Sequence, residues 1–137
     1  MPVQCFNIAI SEPLTQHEAA TVAWLLRETY EPTLCTATSQ LSDAASAAGN
    51  GSSSSSTCII EVGPRLTFST AWSANAVSAC EACGISKVTR LERSWRYAVY
   101  SAAGLSAEQR QHFAALVHDR MTEEVYVQPL QSFQVCN

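Results

Sequence analysis

The stretch Tyr97-Ala-Val-Tyr-Ser-Ala-Ala-Gly-Leu-Ser-Ala-Glu-Gln-Arg-Gln-His-Phe-Ala-Ala-Leu-Val117 decides the fold, because it joins a strand pattern to a helix pattern. Its first residues continue an alternation of apolar and polar side chains, which is typical of a half-buried strand. Ser106 and Gln109 then have the spacing of a helix-capping box. Apolar residues recur at helical spacing up to Val117. The stretch therefore predicts a strand followed by a capped helix.

The same pattern occurs 91 positions earlier, in the stretch from Phe6 to Leu26. Strand residues, capping box and apolar helix stripe all coincide after this shift. The matching residues of the earlier copy are Phe6, Ile8, Leu14, Thr15, Glu18, Val22, Ala23, Leu25 and Leu26, and those of the later copy are Tyr97, Val99, Leu105, Ser106, Gln109, Phe113, Ala114, Leu116 and Val117. Such internal similarity predicts two copies of a strand-helix-strand-helix unit related by a pseudo-twofold axis.

Periodicity predicts three strands and three helices outside a Ser-rich segment. The strands are Val3–Ile10, Cys58–Val62 and Lys87–Ser101, and the helices are Thr15–Thr29, Thr70–Cys83 and Ser106–Met121. In the third strand the alternation places one set of side chains on an apolar face and a second set on a polar face. The apolar set is Leu91, Trp95, Tyr97 and Val99, interrupted by Arg93, and the polar set is Arg90, Glu92, Ser94 and Arg96.

The predicted fold class is α+β, with a mainly antiparallel sheet and helices packed on one of its faces. Residues 1–35 are the second half of the first repeat, 36–57 a Ser/Ala/Gly-rich disordered linker, 58–121 the complete second repeat, and 122–137 a tail leading to further domains. A strand and a helix expected before Val3 are missing from the first repeat. An unpaired sheet edge would remain there, and it predicts self-association.

Composition excludes several classes of protein. The chain has 137 residues, 47% of them hydrophobic, and a formal net charge of -4. A nucleic-acid or acidic-membrane partner requires a basic face, so neither is expected. We see no signal peptide and no apolar run long enough to cross a membrane. The six cysteines lie in apolar stretches and are interpreted as reduced, packed side chains.

Three local patterns could carry chemistry, and each also has a structural explanation. Cys80 and Cys83 are spaced as a redox pair but lie at the C-terminal end of a helix, which favours packing. His118 and Asp119 resemble a base with its orienting acid, yet adjacent helix residues do not face each other, so a histidine that favours the helix dipole is preferred. The segment 63–70 could hold an anion at a helix N-terminus, although a plain helix cap explains it too.

Three motifs in the second half occur in a fixed order: Glu61–Cys80, Val88–Arg93 and His118–Glu123. Together they resemble the N-terminal domain of the phosphoribosylformylglycinamidine (FGAM) synthase family, also called FGAR amidotransferase. Two further stretches, Leu26–Pro32 and Thr70–Val77, are similar to the plant and green-algal branch. The family's domain is similar to a dimer of the small subunit of the three-part bacterial enzyme, in agreement with the internal repeat.

The resemblance implies a role inside an enzyme without a part in its chemistry. The family's enzyme is a carbon-nitrogen ligase of purine biosynthesis that converts FGAR, glutamine, ATP and water to FGAM, glutamate, ADP and phosphate. ATP and magnesium are expected only on the parent enzyme, no cofactor or metal on this chain, and no catalytic residue here. The expected partners are the synthetase and glutaminase domains, so the chain alone is predicted to be inactive. A stand-alone interaction module, or a truncated product, is the alternative.

The side chains proposed to contact neighbouring domains are mostly charged or polar, with Trp72 as an aromatic anchor. Arg93 is the member for which we expect a buried or interface ion pair, since it lies among apolar side chains. Cytoplasmic localisation is expected for the chain as given, and a plastid or mitochondrion for the full-length parent. The interface candidates are Arg65, Ser69, Trp72, Asn75, Arg90, Arg93, Arg96, His118, Asp119, Arg120 and Glu123.

Overall fold

A computed structural model describes residues 2–27, 32–39, 41 and 56–133 of the chain. Most of the predicted linker 36–57, namely residues 40 and 42–55, lies outside the described residues, as do positions 28 and 29 of the first predicted helix. The elements in chain order are β1 (Val3–Ile10), α1 (Gln16–Leu26), a short 3-10 helix (Pro32–Leu34), β2 (Ser56–Pro64), α2 (Ala71–Ala82), β3 (Val88–Ser101), α3 (Ala107–Val117) and β4 (Glu123–Tyr126).

The strands form one four-stranded sheet in the order β1-β3-β2-β4. Strand β2 pairs antiparallel with β3, so that Ile60 lies opposite Tyr97, and antiparallel with β4, so that Val62 lies opposite Val125. The α+β class with a mainly antiparallel sheet is confirmed. No helix in the described part of the chain is both long and apolar enough to span a membrane.

The chain divides into two compact units, and β1 and β3 each run through both. The first unit comprises Met1–Cys5, Thr38–Arg65 and Arg93–Gln131, and the second comprises Phe6–Ala37, Leu66–Glu92 and Ser132–Asn137. The core of the first unit consists of Ile60, Val62 and Ala114, against which half-buried side chains of β2, β3 and α3 pack. Within it the rings of Tyr97 and Phe113 meet edge to face, with centroids 5.6 Å apart.

The second unit has a core of its own, built between α1, α2 and the start of β3. Its buried members are Val22, Cys80, Ile85, Val88 and Leu91. Phe6 of β1 stacks on Trp72 of α2 with ring centroids 6.2 Å apart, at the edge of this core. After α2, Gly84 has φ +80°, a left-handed conformation that only glycine adopts at low cost, and the chain turns there toward β3.

The two copies of the repeat give the same local structure. Helices α1 and α3 begin and end 91 positions apart, and both carry a complete capping box. The N-cap residues Thr15 and Ser106 have nearly identical backbones, with φ -67°, ψ 163° and φ -66°, ψ 161°. Strand β1 likewise ends 91 positions before β3. The repeat therefore encodes equivalent elements, as the sequence indicated.

We expect Ser106→Ala to lower the free energy of unfolding by about 1 kcal/mol, because the amide of Gln109 at the start of α3 loses the hydroxyl that accepts its hydrogen bond. Urea denaturation would measure the change. Ser106→Asn is the matched control, since asparagine caps helices about as well as serine. Equal destabilisation by both substitutions would contradict the assigned role of the cap.

The structure corrects the expected environment of β3. Glu92 and Ser94, placed on the polar face of the strand, are 1% and 0% exposed. Arg93, for which a buried or interface ion pair is expected, has an exposed side chain, so the buried pair is excluded and the interface pair stays a prediction. Trp95, placed on the apolar face, is 38% exposed. Two polar side chains are therefore buried as deeply as the core residue Leu91 in the middle of this strand.

Two element boundaries also differ from the prediction. Helix α3 ends at Val117, four residues before the expected end at Met121, because the chain enters a hydrogen-bonded turn at Asp119. The segment assigned as a tail contains strand β4, since Glu123–Tyr126 pairs with β2. The sequence Glu-Glu-Val-Tyr of this strand has no alternation of polar and apolar residues, so periodicity does not indicate it.

Candidate domain interface

A buried carboxylate, that of Glu92, organises the start of α2. Its oxygens accept hydrogen bonds from the backbone amide and the hydroxyl of Thr70, at 3.0 and 2.7 Å. The same hydroxyl caps the helix by accepting a hydrogen bond from the amide of Ser73, at 3.1 Å. Ser73 in turn accepts a hydrogen bond from the amide of Leu91, at 3.2 Å. Strand β3 and the N-terminus of α2 are thus joined by polar contacts within the second unit.

Arg90 extends this network to the loop before α2. Its Nε lies 3.2 Å from Glu92, and its guanidinium also donates to the carbonyls of Leu66 and Phe68. The guanidinium carbon lies 4.5 Å from the ring centroid of Phe133, which is the geometry of a cation-π contact. Arg90 thereby contacts both the loop before α2 and the segment around Phe133 within the second unit. It is an interface candidate already engaged inside its own unit.

The segment 63–70 was considered as an anion site at the N-terminus of α2, and the structure supplies an anion from the protein itself. The carboxylate of Glu92 takes the hydrogen bonds that an external anion would receive from Thr70. Arg65 points elsewhere, as described below. Ser69 and Asn75 are exposed beside this site, whereas Trp72 is half-buried against the core. The helix cap therefore explains this motif.

The first unit contains a second buried carboxylate, Glu61 on β2, which is 5% exposed. It accepts a hydrogen bond from Ser94 at 2.5 Å and forms an ion pair with Nε of Arg96 at 2.7 Å. Burial lowers the pKa of Arg96, but the hydrogen bond and charge of Glu61 outweigh it and raise the pKa overall. Burial also raises the pKa of the nearby Cys5 thiol, which the charge of Arg96 opposes. Arg96 is therefore an internal partner of Glu61.

The candidates from the end of α3 form a compact turn that also binds Arg65. The amide of Asp119 donates to the Glu123 carboxylate at 2.9 Å, and the amide of Met121 donates to the Asp119 carboxylate at 2.8 Å. Arg65 donates from its side chain to the carbonyl of Arg120 at 2.5 Å and from its amide to the carbonyl of Thr122 at 3.0 Å. We call Arg65 together with residues 118–123 the Arg65 turn.

The Arg65 turn displays its tip to solvent. Met121 is 82% exposed, and Asp119 and Arg120 are exposed beside it. His118 is half-buried at the C-cap of α3, and its Nδ1 lies within hydrogen-bond distance of the Ala114 carbonyl. This contact agrees with the helix-end interpretation of His118. Asp119 forms its hydrogen bonds within the turn and not with His118. The turn combines charged side chains with an apolar tip in a backbone held by several hydrogen bonds.

Sequence reasoning singled out five of the residues in this turn but missed Met121, and it did not connect Arg65 with them. Arg65 and Arg120 are 55 positions apart in the chain, so local sequence patterns do not indicate that they are in contact. The signal available in the sequence was a pair of charged residues, Asp119 and Arg120, followed by Met121 shortly after the helix. The remaining candidates lie outside the turn: Ser69, Trp72, Asn75 and Arg90 in the second unit, and Arg93 and Arg96 on the part of β3 that belongs to the first.

Cysteine and metal chemistry have little support in the geometry. Cys80 is 2% exposed, and its thiol pKa is raised by burial and by the neighbouring Cys83. A raised pKa disfavours the thiolate that redox chemistry uses. Among the described residues, no group of three or more His, Cys, Asp or Glu side chains could hold a metal ion. The described cysteines Cys5, Cys35, Cys58, Cys80 and Cys83 are free thiols, and Cys136 lies outside the described residues.

An ion pair at the surface of the second unit joins α1 to the segment after α2. Nζ of Lys87 lies 2.9 Å from the Glu18 carboxylate, which also accepts a hydrogen bond from the amide of Thr15 at 2.7 Å. The hydrogen bond from Lys87, followed by that from Thr15, lowers the pKa of Glu18 from 4.5 to about 2. Because the folded pKa lies below the unfolded one, this stabilisation is present above about pH 4.5 and is lost as the pH falls toward 2.

We expect Lys87→Met to raise the pKa of Glu18, because the hydrogen bond from Lys87 is the largest cause of its lowered value. The Thr15 contacts should still keep this pKa somewhat below 4.5. An NMR titration of the Glu18 side-chain carboxyl would measure the midpoint. The same substitution should lower stability slightly at pH 7, and this effect should shrink as the pH falls toward 2, where the Glu18 carboxyl becomes protonated. Arg110→Met, on the exposed face of α3, serves as a control. An unchanged Glu18 midpoint in the Lys87 variant would contradict the pairing.

The fold and this surface define an α+β domain with hydrogen-bonded buried carboxylates and a charged turn that has an exposed methionine at its tip. The chain belongs to the formylglycinamide ribonucleotide amidotransferase N-terminal family, whose sequence profile matches residues 3–134. It is 47% identical over 131 residues to a probable chloroplastic/mitochondrial phosphoribosylformylglycinamidine synthase of Arabidopsis thaliana, covering 96% of this chain. Similarity to the Dictyostelium discoideum phosphoribosylformylglycinamidine synthase is 40% over 131 residues and 94% of the chain.

A shorter part of the chain is similar to the human phosphoribosylformylglycinamidine synthase, with 48% identity over 75 residues or 55% of the chain. The chain spans only a small part of these relatives: 9% of the Arabidopsis and Dictyostelium proteins and 6% of the human one. The resemblance to the family's N-terminal domain is thereby confirmed.

Proposed function

We propose that this chain acts as a non-catalytic N-terminal domain of a glutamine-dependent ligase that converts FGAR to FGAM in purine biosynthesis. Its role is to couple the glutaminase and synthetase parts of that enzyme. The observation that carries the proposal is the family match over residues 3–134, together with matches over 96% and 94% of this chain to relatives named as probable or established phosphoribosylformylglycinamidine synthases. ATP and magnesium belong, in this proposal, to the other domains.

The polar side chains support a structural role. Glu61, Glu92 and Ser94 are buried, and the hydrogen bonds described above bind them to their own unit. Side chains committed in this way keep the backbone in one arrangement. A coupling domain needs such a fixed frame, because a contact surface positions its neighbours only if its own geometry is constant.

The Arg65 turn is the part of the chain that we propose docks on a neighbouring domain. Its backbone is held by hydrogen bonds, its tip is an exposed methionine, and charged side chains flank it. Methionine adapts to an apolar recess of a partner, while rim charges set orientation. We further propose that the full-length protein functions in a plastid or mitochondrion, as the name of the Arabidopsis relative states for that protein.

A complementation assay tests the coupling role. The full chain is added to an FGAM synthase that lacks its N-terminal domain, and FGAM formation is measured with glutamine and with ammonia as nitrogen donors. Recovery of glutamine-driven synthesis with little change in ammonia-driven synthesis supports the proposal. Equal recovery of both reactions points to a structural effect on the synthetase, and failure to bind the truncated enzyme overturns the proposal.

A substitution in the Arg65 turn tests whether this surface docks on a neighbouring domain. Met121→Asp should reduce glutamine-driven rescue about tenfold or more, because it places a charge at the centre of the proposed contact. Val127→Asp is the matched control, since Val127 is 94% exposed and lies beyond β4. Rescue that is equally reduced by both substitutions, or by neither, would exclude the Arg65 turn as the docking surface.

A further inference from the structure

Helix α1 exposes a tryptophan on the side opposite to the core of its own unit. Trp24 is 60% exposed, whereas Val22 is 3% exposed and Leu25 and Leu26 pack against that core. A tryptophan side chain has a large, mostly apolar surface, so its exposure to water is unfavourable. Tryptophan is also enriched among the residues that contribute most of the binding energy at protein interfaces. Its position on α1 therefore indicates contact with another molecule.

The internal repeat shows that the fold does not require a tryptophan at this position. A shift of 91 positions places Trp24 on Ala115 and Ala20 on Gln111. Helix α3 has the same length of 11 residues as α1 and the same kind of capping box, without a large aromatic side chain there. Trp24 is thus an addition to a helix that forms without it.

The surface of α1 beside Trp24 is low and follows the helical period. With about 3.6 residues per turn, one exposed row along the helix consists of Gln16, Ala20, Ala23 and Arg27. Trp24 and the exposed His17 lie along one side of this row. Because alanine side chains are small, a second helix can approach the row closely while Trp24 packs beside it.

The two ends of this surface carry opposite charges. Arg27 is exposed at the C-cap of α1, and Glu12 is exposed three residues before the N-cap Thr15. Glu12 is eight positions before Ala20, and Arg27 is seven positions after it. In an antiparallel pair of α1 helices centred on Ala20, Arg27 of each copy therefore reaches the level of Glu12 of the other. A parallel pair would instead bring like charges together.

We propose that two copies of this chain associate through antiparallel packing of their α1 helices. Trp24 of each copy lies beside Ala20 and His17 of the other, and the alanine rows face each other. A twofold contact requires a surface that is complementary to itself, and α1 meets this requirement in shape through Trp24 and Ala20 and in charge through Arg27 and Glu12. The inference is independent of the proposed coupling role and uses no residue of the Arg65 turn.

A contact of this size gives a weak dimer. Helix α1 has 11 residues, so the contact is roughly 16 Å long. Such a contact buries less than the roughly 1,200 Å² of a stable interface, and we expect a dissociation constant on the order of 0.1 mM. Dimers therefore form at high protein concentration, or where other contacts already hold two copies together.

Sedimentation equilibrium of the full chain between about 10 µM and 1 mM measures the association. We expect a reversible monomer–dimer equilibrium that Trp24→Ala weakens about tenfold or more, because the contact loses its aromatic anchor. Tyr100→Ala is the matched control, since Tyr100 is an aromatic residue that is 65% exposed but lies on β3. In nitrogen-15 spectra the indole signal of Trp24 should move on dilution, and those of Trp72 and Trp95 should not.

Charge reversal tests the antiparallel orientation. Arg27→Glu and Glu12→Arg should each weaken self-association a few-fold, because each replaces attraction by repulsion at both ends of the dimer. The double variant with both substitutions should restore the association, since opposite charges meet again at both ends. In a parallel pair neither single substitution nor the double variant would change the signs of the charges that meet, so unchanged association in all three would overturn the antiparallel arrangement.

Other results would overturn the proposal as a whole. A chain that stays monomeric up to about 1 mM forms no dimer of the expected strength. Dimerisation that Trp24→Ala does not weaken, or that Tyr100→Ala weakens equally, places the contact on another surface. Dilution shifts confined to the amides of Val3–Ile10 would assign self-association to the sheet edge. A monomeric chain that loses glutamine-driven rescue on Trp24→Ala would assign Trp24 to a neighbouring domain instead.

Discussion

Replacing Glu92 by alanine is expected to lower the free energy of unfolding by about 3–5 kcal/mol, the cost of removing one partner from a buried ion pair. The carboxylate is 1% exposed and accepts hydrogen bonds from Thr70 and Arg90. Without it the amide at the N-cap of α2 loses its acceptor, and the half-buried guanidinium of Arg90 loses its counter-charge. Urea denaturation monitored by circular dichroism measures the loss.

The neighbouring position gives the control for this prediction. Arg93→Ala changes a charged side chain on the same strand, but that side chain is exposed, so a change of about 0.5 kcal/mol or less is expected. A double-mutant cycle of Glu92→Ala with Thr70→Val should show strong coupling, because both remove the same hydrogen bond. Additive effects, or equal effects of the Glu92 and Arg93 substitutions, would contradict the role given to the buried carboxylate.

The helices were predictable because their starts are encoded locally. The capping boxes at Thr15 and Ser106 determine the first residues of α1 and α3, and each box needs only four consecutive positions. Thr70 marks the start of α2 in the same way, and Gly84 marks its end. The 91-residue repeat then indicated which elements are equivalent. These features depend on short-range geometry, which a single sequence contains.

The environment of β3 could not be predicted for the opposite reason. Alternation shows that Glu92 and Ser94 share a face, but it does not show what lies above that face. Ser94 is buried because Glu61, 33 positions away, accepts its hydrogen bond. Glu92 is buried because the start of α2 folds over it. Both causes are long-range, so alternation alone could not show that this polar face is partly buried.

The candidate interface was predictable in its residues and not in its geometry. Arg65 and the residues from His118 to Glu123 were singled out separately, and the structure brings them together through the carbonyls of Arg120 and Thr122. Arg90 and Arg96 were selected as exposed charges, yet each has a carboxylate partner inside its own unit. The sequence alone does not show whether a basic side chain pairs with a carboxylate of its own unit or faces a partner domain.

Replacing Gly63 by alanine is expected to destabilise the domain by about 1–3 kcal/mol through overpacking. A methyl carbon at this position would lie 2.7 Å from Oη of Tyr126 and 2.8 Å from two of its ring carbons. Tyr126 is 9% exposed, and its hydroxyl donates to the carbonyl of Pro64 at 2.7 Å, so the ring has little room to move. Alanine would otherwise be favourable in a strand, since glycine loses more backbone freedom on folding.

A double-mutant cycle separates this steric effect from a backbone effect. Tyr126→Leu removes the ring atoms that the new methyl group meets, so in this background Gly63→Ala should cost less than about 0.5 kcal/mol. Amide exchange should show β4 opening first in the single Gly63 variant, because Gly63 lies opposite Glu124 in the β2/β4 pair. If Gly63→Ala were equally costly in both backgrounds, the contact between this glycine and Tyr126 would not be what excludes a side chain at position 63.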